Sequence, residues 1–183
     1  MTTLSRAATV RGFRVVSAER WDADEAVTQL YAVHYAPLVR LAALLVRHSG
    51  EAEEIVQDAF VAMHSKWRSL HEPEHAVGYL RRSIVNRARS AHRHHSVADK
   101  HLPRQVVAEA SAEDHALTTE SRALMMAALD TLPPRQREVL VLRYYSDLSE
   151  ADIADTLGIS RGAVKSHASR GLHSLRTRLE DQQ

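Results

Sequence analysis

Glu150-Ala-Asp-Ile-Ala-Asp-Thr-Leu-Gly-Ile-Ser-Arg-Gly-Ala-Val-Lys-Ser-His-Ala-Ser-Arg170 is the stretch that decides the fold. Counted from Glu150, a small residue, Ala154, falls where two helices must approach closely. Gly158 falls at the sharp turn, where a left-handed backbone is cheap only for glycine. Ile153, Leu157 and Val164 supply the apolar contacts that fix one helix across the other, and Ser160 is a natural N-cap for the second helix. The spacing predicts a helix-turn-helix. Its second helix presents Arg161, Lys165, Ser166, Ser169 and Arg170 outward, with no acidic residue between Ile159 and Leu179. A plain αα-hairpin inside a larger helical domain would not need such one-sided charge. A basic, hydroxyl-bearing helix face suits a phosphate-lined major groove, so this stretch is read as DNA-binding.

Working outward, Leu132-Pro133-Pro134 stops a helix expected over Thr118 to Asp130 and starts another, with proline in its first turn and Val139, Leu140 and Leu142 on its apolar face. The first half is also helical. Two helices are expected between Asp22 and Arg47, with Pro37 at a start or kink and Leu38, Leu41, Leu44 and Leu45 at helical spacing. Ser49-Gly50 reads as a break. Glu51 to Trp67 then carries Ala52, Ile55, Val56, Ala59, Phe60 and Met63 along one stripe, with Glu51, Glu53 and Glu54 in the first turn, where the helix dipole favours acids. Ser69 to His75 reads as a loop stopped by Pro73. A further helix is expected from Ala76 to Arg93, with Val77, Leu80, Ile84, Val85 and Ala88 inward. The fold class is therefore all-α: two small helical domains, 22–95 and 118–180, joined by a flexible linker at 96–117. Residues 1–21 form a loosely ordered N-terminal extension.

With 183 residues and a formal net charge of +1, bulk charge does not announce a polyanionic partner. Its distribution does. Residues 81–104 hold seven Arg or Lys against the single acid Asp99, residues 105–121 hold four acids and no Arg or Lys, and 159–179 are basic again. Two basic zones around an acidic spacer suggest two contact surfaces on one polyanion. There is no cysteine, which excludes a disulfide framework and thiolate metal sites. No apolar run approaches the roughly 20 residues of a membrane span, and the N-terminus lacks the apolar core of a secretion signal. A cytoplasmic protein without membrane contact is expected. His92, His94 and His95 invite a metal reading, but adjacent histidines point apart on a helix, so no metal or cofactor is expected. With no phosphate loop, nucleophile elbow or spaced carboxylate pair, no catalytic residue is assigned and the chain is read as not an enzyme.

The order of these parts resembles one family. Glu53-Glu-Ile-Val-Gln-Asp-Ala-Phe60, followed by Trp67 and then Gly78-Tyr-Leu-Arg-Arg-Ser-Ile-Val-Asn-Arg-Ala-Arg89, is similar to region 2 of sigma-70 factors. Leu132-Pro-Pro-Arg-Gln-Arg-Glu-Val-Leu140, running on to Val164-Lys-Ser-His167 and Arg170, is similar to region 4. The resemblance spans about residues 22–180 and leaves no room for a region 3 domain, which places the chain with the extracytoplasmic-function, or group IV, sigma factors. It implies a factor that binds core RNA polymerase and directs promoter recognition, promoter opening and transcription initiation, with no catalysis of its own. It implies that Glu54, Gln57 and Asp58 meet the clamp helices of the largest polymerase subunit, Phe60 serving this contact mainly from the core. The flap of the second subunit is the other implied polymerase contact. Arg81, Arg82, Asn86, Arg87, Arg89 and Arg93 would engage the −10 element, with His71 and Glu72 in the preceding loop beside a flipped base. Arg161, Lys165, Ser166, Ser169 and Arg170 would read the −35 element. The resemblance further implies a monomer when free, with an anti-sigma factor as a possible partner.

Geometry is compatible with a two-point reader. A linker over 96–117 reaches roughly 70 Å when extended, against the ~55 Å of one and a half turns of DNA that separates the implied promoter elements. The main rival is a free-standing regulator sharing the helix-turn-helix. Such a protein would carry a sensor or receiver domain of alternating strands and helices and would dimerise on DNA, whereas 22–95 reads as wholly helical. A helical nuclease using the histidines is the third reading, and nothing spaces ligands for it.

Overall fold

The computed structural model describes residues 23–46, 49–70, 73–98 and 119–180. Seven helices follow in order: α1 (Ala23–Leu45), α2 (Ser49–Leu70), α3 (Pro73–Ala98), α4 (Thr119–Asp130), α5 (Pro134–Tyr144), α6 (Glu150–Leu157) and α7 (Arg161–Glu180). Helices α1, α2 and α3 pack on one another, and α4, α5 and α6 gather around α7. No described helix is long and apolar enough to cross a membrane.

The first half forms because three apolar stripes close on one another. Leu41, Val56, Met63, Leu80, Ile84 and Val85 are all essentially inaccessible to solvent. The stripe expected on α2 is buried in full, from Ala52 through Met63, and Trp67 packs against its end. Three local expectations are corrected. Pro37 lies inside a single helix α1 rather than between two; a proline forfeits one backbone bond there, and burial of Leu38, Leu41, Ala42 and Leu45 just beyond it holds the helix together. Ser49 and Gly50 open α2 instead of breaking the chain. The loop expected at Ser69 to His75 is shortened from both sides, since α2 continues to Leu70 and α3 starts at Pro73, where proline's missing N–H costs nothing.

In the second half Gly158 and Ser160 act as their sequence positions imply, and Ser149 adds a cap that the sequence analysis did not single out. Ser149 Oγ accepts the Asp152 N–H at 3.2 Å and starts α6. Gly158 ends it with φ 65° and ψ 42°, its N–H returning to the Ala154 carbonyl. The Ile159 N–H reaches the same carbonyl at 3.1 Å, so the turn closes two free backbone donors at once. Ser160 Oγ then accepts the Ala163 N–H at 3.1 Å and starts α7. Ile153, Leu157 and Val164 are buried between the two helices.

The two halves also touch. Helix α1 packs on α5 and α3 on α6, and Leu45, Val85 and Ala88 of the first half line a cleft of about 40 Å³ together with Leu132 and Pro134 of the second.

Candidate nucleic-acid interface

Helix α7 carries the clearest surface. Arg161, Lys165, Ser166, Ser169 and Arg170 are all exposed, while Val164, Ala168 and Gly171 face inward. The helix is held by its other side: it packs on α5, α6 and α4. Gly171 is what lets it approach α5, because a Cβ at that position would lie 2.9 Å from Leu140 Cδ1. Sequence reading did not single out this glycine; a glycine in a helix interior, where it is otherwise unfavourable, was the available signal. Glu150, at the start of α6, sits 3.7 Å from Lys165 Nζ and 3.3 Å from Arg143 Nη1. Both pairs lie at the surface, so they orient the side chains more than they stabilise the fold.

Helix α3 is basic as expected, but its arginines meet protein groups. Arg89 donates through Nε and Nη2 to the two carboxylate oxygens of Glu138, at 2.7 Å each, and through Nη1 to Asn86 Oδ1 at 3.3 Å. Arg82 Nη2 donates to the Asp155 carbonyl at 2.7 Å. Arg87 Nη1 lies 2.5 Å from Asp58 Oδ2, and its Nη2 reaches the Asp58 carbonyl at 3.4 Å. Arg93 donates to Ser90 Oγ at 2.9 Å. Burial lowers the pKa of Arg81, with Asp152 opposing the shift, and lowers that of His34, where Arg81 adds to the effect. From Ala76 onward α3 carries no acid; the acids and the carbonyls that meet Arg82, Arg87 and Arg89 come from other helices, while Asn86 and Ser90 belong to α3 itself. His71 and Glu72 lie outside the described residues.

Helix α2 turns Glu54, Gln57 and Asp58 to solvent. Phe60 is 4% exposed and tilts against the Tyr31 ring at 5.0 Å. It lies in the core, where its place on the apolar stripe put it, because the stripe that buries Ala59 and Met63 also buries it. Val61, 67% exposed, lies beside Asp58 on the open edge. It was missed, although a valine falling off the apolar stripe of an amphipathic helix was its signal. In the second half, Leu124 and Met125 of α4 and Leu172 of α7 are further exposed apolar side chains.

Comparison with known proteins bears on this arrangement. The family description "Sigma-70 region 2" matches residues 30–97, and "Sigma-70, region 4" matches residues 122–175. The RNA polymerase sigma-E factor of Streptomyces avermitilis is 34% identical over 143 residues, 78% of this chain and 79% of that protein. The chain belongs to the extracytoplasmic-function group of the sigma-70 family. The ECF RNA polymerase sigma factor SigM of Mycobacterium tuberculosis is 32% identical over 159 residues, covering 85% of this chain and 76% of that one. In fold the chain is similar to the sigma factor RpoE of Bartonella quintana, solved with the anti-sigma factor NepR, at TM-score 0.66 and 23% identity over 84% of this chain and 96% of that one. As a sigma factor the chain directs transcription initiation at promoters. Its family is one of initiation factors rather than enzymes.

Proposed function

We propose that the two helical units divide the work of this sigma factor. Residues 22–95 dock on core RNA polymerase through the exposed edge of α2 and open the −10 element with α3. Residues 118–180 read the −35 element with α7, and 96–117 connects the two. The observation that carries this reading is the face of α7, where five basic or hydroxyl side chains are exposed on the second helix of a capped helix-turn-helix. Such a helix presents donors to base edges and phosphates at once. On α2, Asp58 is a carboxylate already held in place by Arg87, next to Glu54, Gln57 and the exposed Val61. That mixture of ordered acid and open apolar surface suits the clamp helices of the largest subunit. Leu124, Met125 and Leu172 offer apolar surface to the flap of the second subunit.

In this reading the polymerase supplies all the chemistry. The free chain is a cytoplasmic monomer, and an anti-sigma factor is a fitting regulator, since the structurally similar RpoE was solved with one. The test is co-purification with core polymerase, then run-off transcription on a promoter library. A stable one-to-one complex that initiates at sequences sharing two spaced elements is expected. A dimer that binds duplex DNA tightly without polymerase overturns the reading in favour of a free-standing regulator.

A further inference from the structure

Helix α6 packs on α7 and is acidic: Glu150, Asp152 and Asp155 stand on it without a basic residue. The first helix of a helix-turn-helix lies across the DNA backbone, where a carboxylate repels phosphates. Asp152 has a local task, since its Oδ2 accepts the Ser149 hydroxyl at 2.6 Å within the N-cap. Glu150 instead reaches two other helices. Its Oε1 lies 3.3 Å from Arg143 Nη1 on α5, and its Oε2 lies 3.7 Å from Lys165 Nζ on α7. With the Glu150 side chain 32% exposed and that of Lys165 69% exposed, the pair is wet and adds little to the fold. What it supplies is direction: α5 fixes one oxygen, and the other is aimed at the reading helix.

Lysine is a compact, hydrated charge on a flexible stem. Unheld beside DNA it turns to the phosphates, which dominate affinity and carry no sequence information. Arg170, on the same face, is steadied within its own helix, its Nε donating to the Ser166 carbonyl at 3.2 Å. Lys165 has its restraint from α6. It also sits near the start of α7, the part of a recognition helix that meets base edges. We propose that Glu150 is a positioning residue for sequence readout: backed by Arg143, it keeps the Lys165 ammonium on a base edge and off the phosphates. The proposal rests on the reading of α7 as the −35 helix. The base is a guanine, whose O6 and N7 are the acceptors that suit a lysine. Glu150 thereby lowers affinity for every sequence, through its own charge, and raises discrimination at one position.

The test uses holoenzyme assembled from core polymerase and the full chain. The probe is a promoter duplex recovered by run-off transcription, randomised across its −35 element, with bound sequences counted. Wild type should prefer guanine at one position, and Lys165→Ala should lose that preference. Glu150→Gln, close in shape but uncharged, should lose it too, by about tenfold. It should still bind the pooled duplexes at least as tightly, with a salt slope steeper by roughly one as Lys165 finds a phosphate. In a Lys165→Ala background, Glu150→Gln should change the preference no further. Glu150→Asp keeps the charge but draws it back by one methylene, so the preference should fall there as well. Wild-type preference in Glu150→Gln, or uniformly weaker binding to all sequences, overturns the inference and leaves Glu150 a helix-end acid. Loss in Glu150→Gln with full preference in Glu150→Asp shows charge acting without positioning and also overturns it. Lys165→Ala that keeps the guanine preference overturns the inference alone; unchanged preference in both Lys165→Ala and Arg170→Ala overturns the reading of α7 beneath it.

Discussion

Replacing Gly171 by alanine drives a methyl group into the seam between α5 and α7. Its Cβ would lie 2.9 Å from Leu140 Cδ1, 3.2 Å from Leu140 Cγ and 3.3 Å from Gln136 Cβ, where carbon atoms prefer about 3.5–4.0 Å. Leu140 is 3% exposed and cannot swing into solvent, so α7 must shift away from α5. Overpacking of this kind costs about 1–3 kcal/mol, and alanine in a helix interior recovers up to about 1 kcal/mol. The net expectation is a loss of about 1 kcal/mol. Gly162 is the internal control. Its added Cβ would meet only Ser160 Oγ, at 3.8 Å, so Gly162→Ala should gain about 0.4–1 kcal/mol by restricting the unfolded chain. For a chain of this size each kcal/mol moves the midpoint by about 2–4 °C. Thermal unfolding followed by circular dichroism should place the two variants on opposite sides of wild type. Since the displaced helix is the proposed −35 reader, Gly171→Ala should also lower transcription from −35-dependent promoters at temperatures where it remains folded. If both alanines raise the midpoint equally, the close α5–α7 approach is wrong, and with it the account of how α7 is aimed.

Three further outcomes follow from the surfaces described. Asp58→Arg should abolish co-elution with core polymerase, because it reverses the exposed charge and repels Arg87, while the far-ultraviolet spectrum stays that of wild type; unchanged co-elution would remove α2 from the docking surface. Alanine at Lys165 or Arg170 should reduce −35-dependent transcription. A lost base contact costs ~1–3 kcal/mol at one promoter position, whereas a lost phosphate contact weakens all sequences alike and lowers the salt slope by roughly one; full activity with unchanged sequence preference in both variants rules α7 out. Burial, and secondarily Arg81, lowers the His34 pKa. The unfolded chain therefore binds this proton first as pH falls below about 6.5. Stability should decline from there down to the lowered folded value, and His34→Gln should flatten that part of the midpoint-versus-pH curve. Identical curves for the two proteins would refute the assignment.

What was legible in the sequence was local. Gly158 and Ser160 act on backbone groups within four or five residues of themselves, and the apolar stripes of α2, α3 and α6 repeat within a helix. Helix type, the helix-turn-helix and the outward set on α7 therefore follow from the chain alone. The misread segments are those where two local signals compete. Pro37 and the Ser69–His75 stretch contain breakers, yet burial beyond Pro37 and the tolerance of a first-turn proline at Pro73 let the helices run on. The partners of the α3 arginines depended on tertiary structure altogether. Arg87 meets Asp58 across 29 residues and Arg89 meets Glu138 across 49, and no spacing rule reaches so far. Sequence alone determined that α3 is cationic and carries no acid from Ala76 onward. Only packing decided which anions face it, because that depends on how α3 is rotated against α2 and on where the second half comes to rest. A charge on a helix has a fixed position along the chain, but its partner is set by the three-dimensional approach of surfaces that the chain brings from elsewhere.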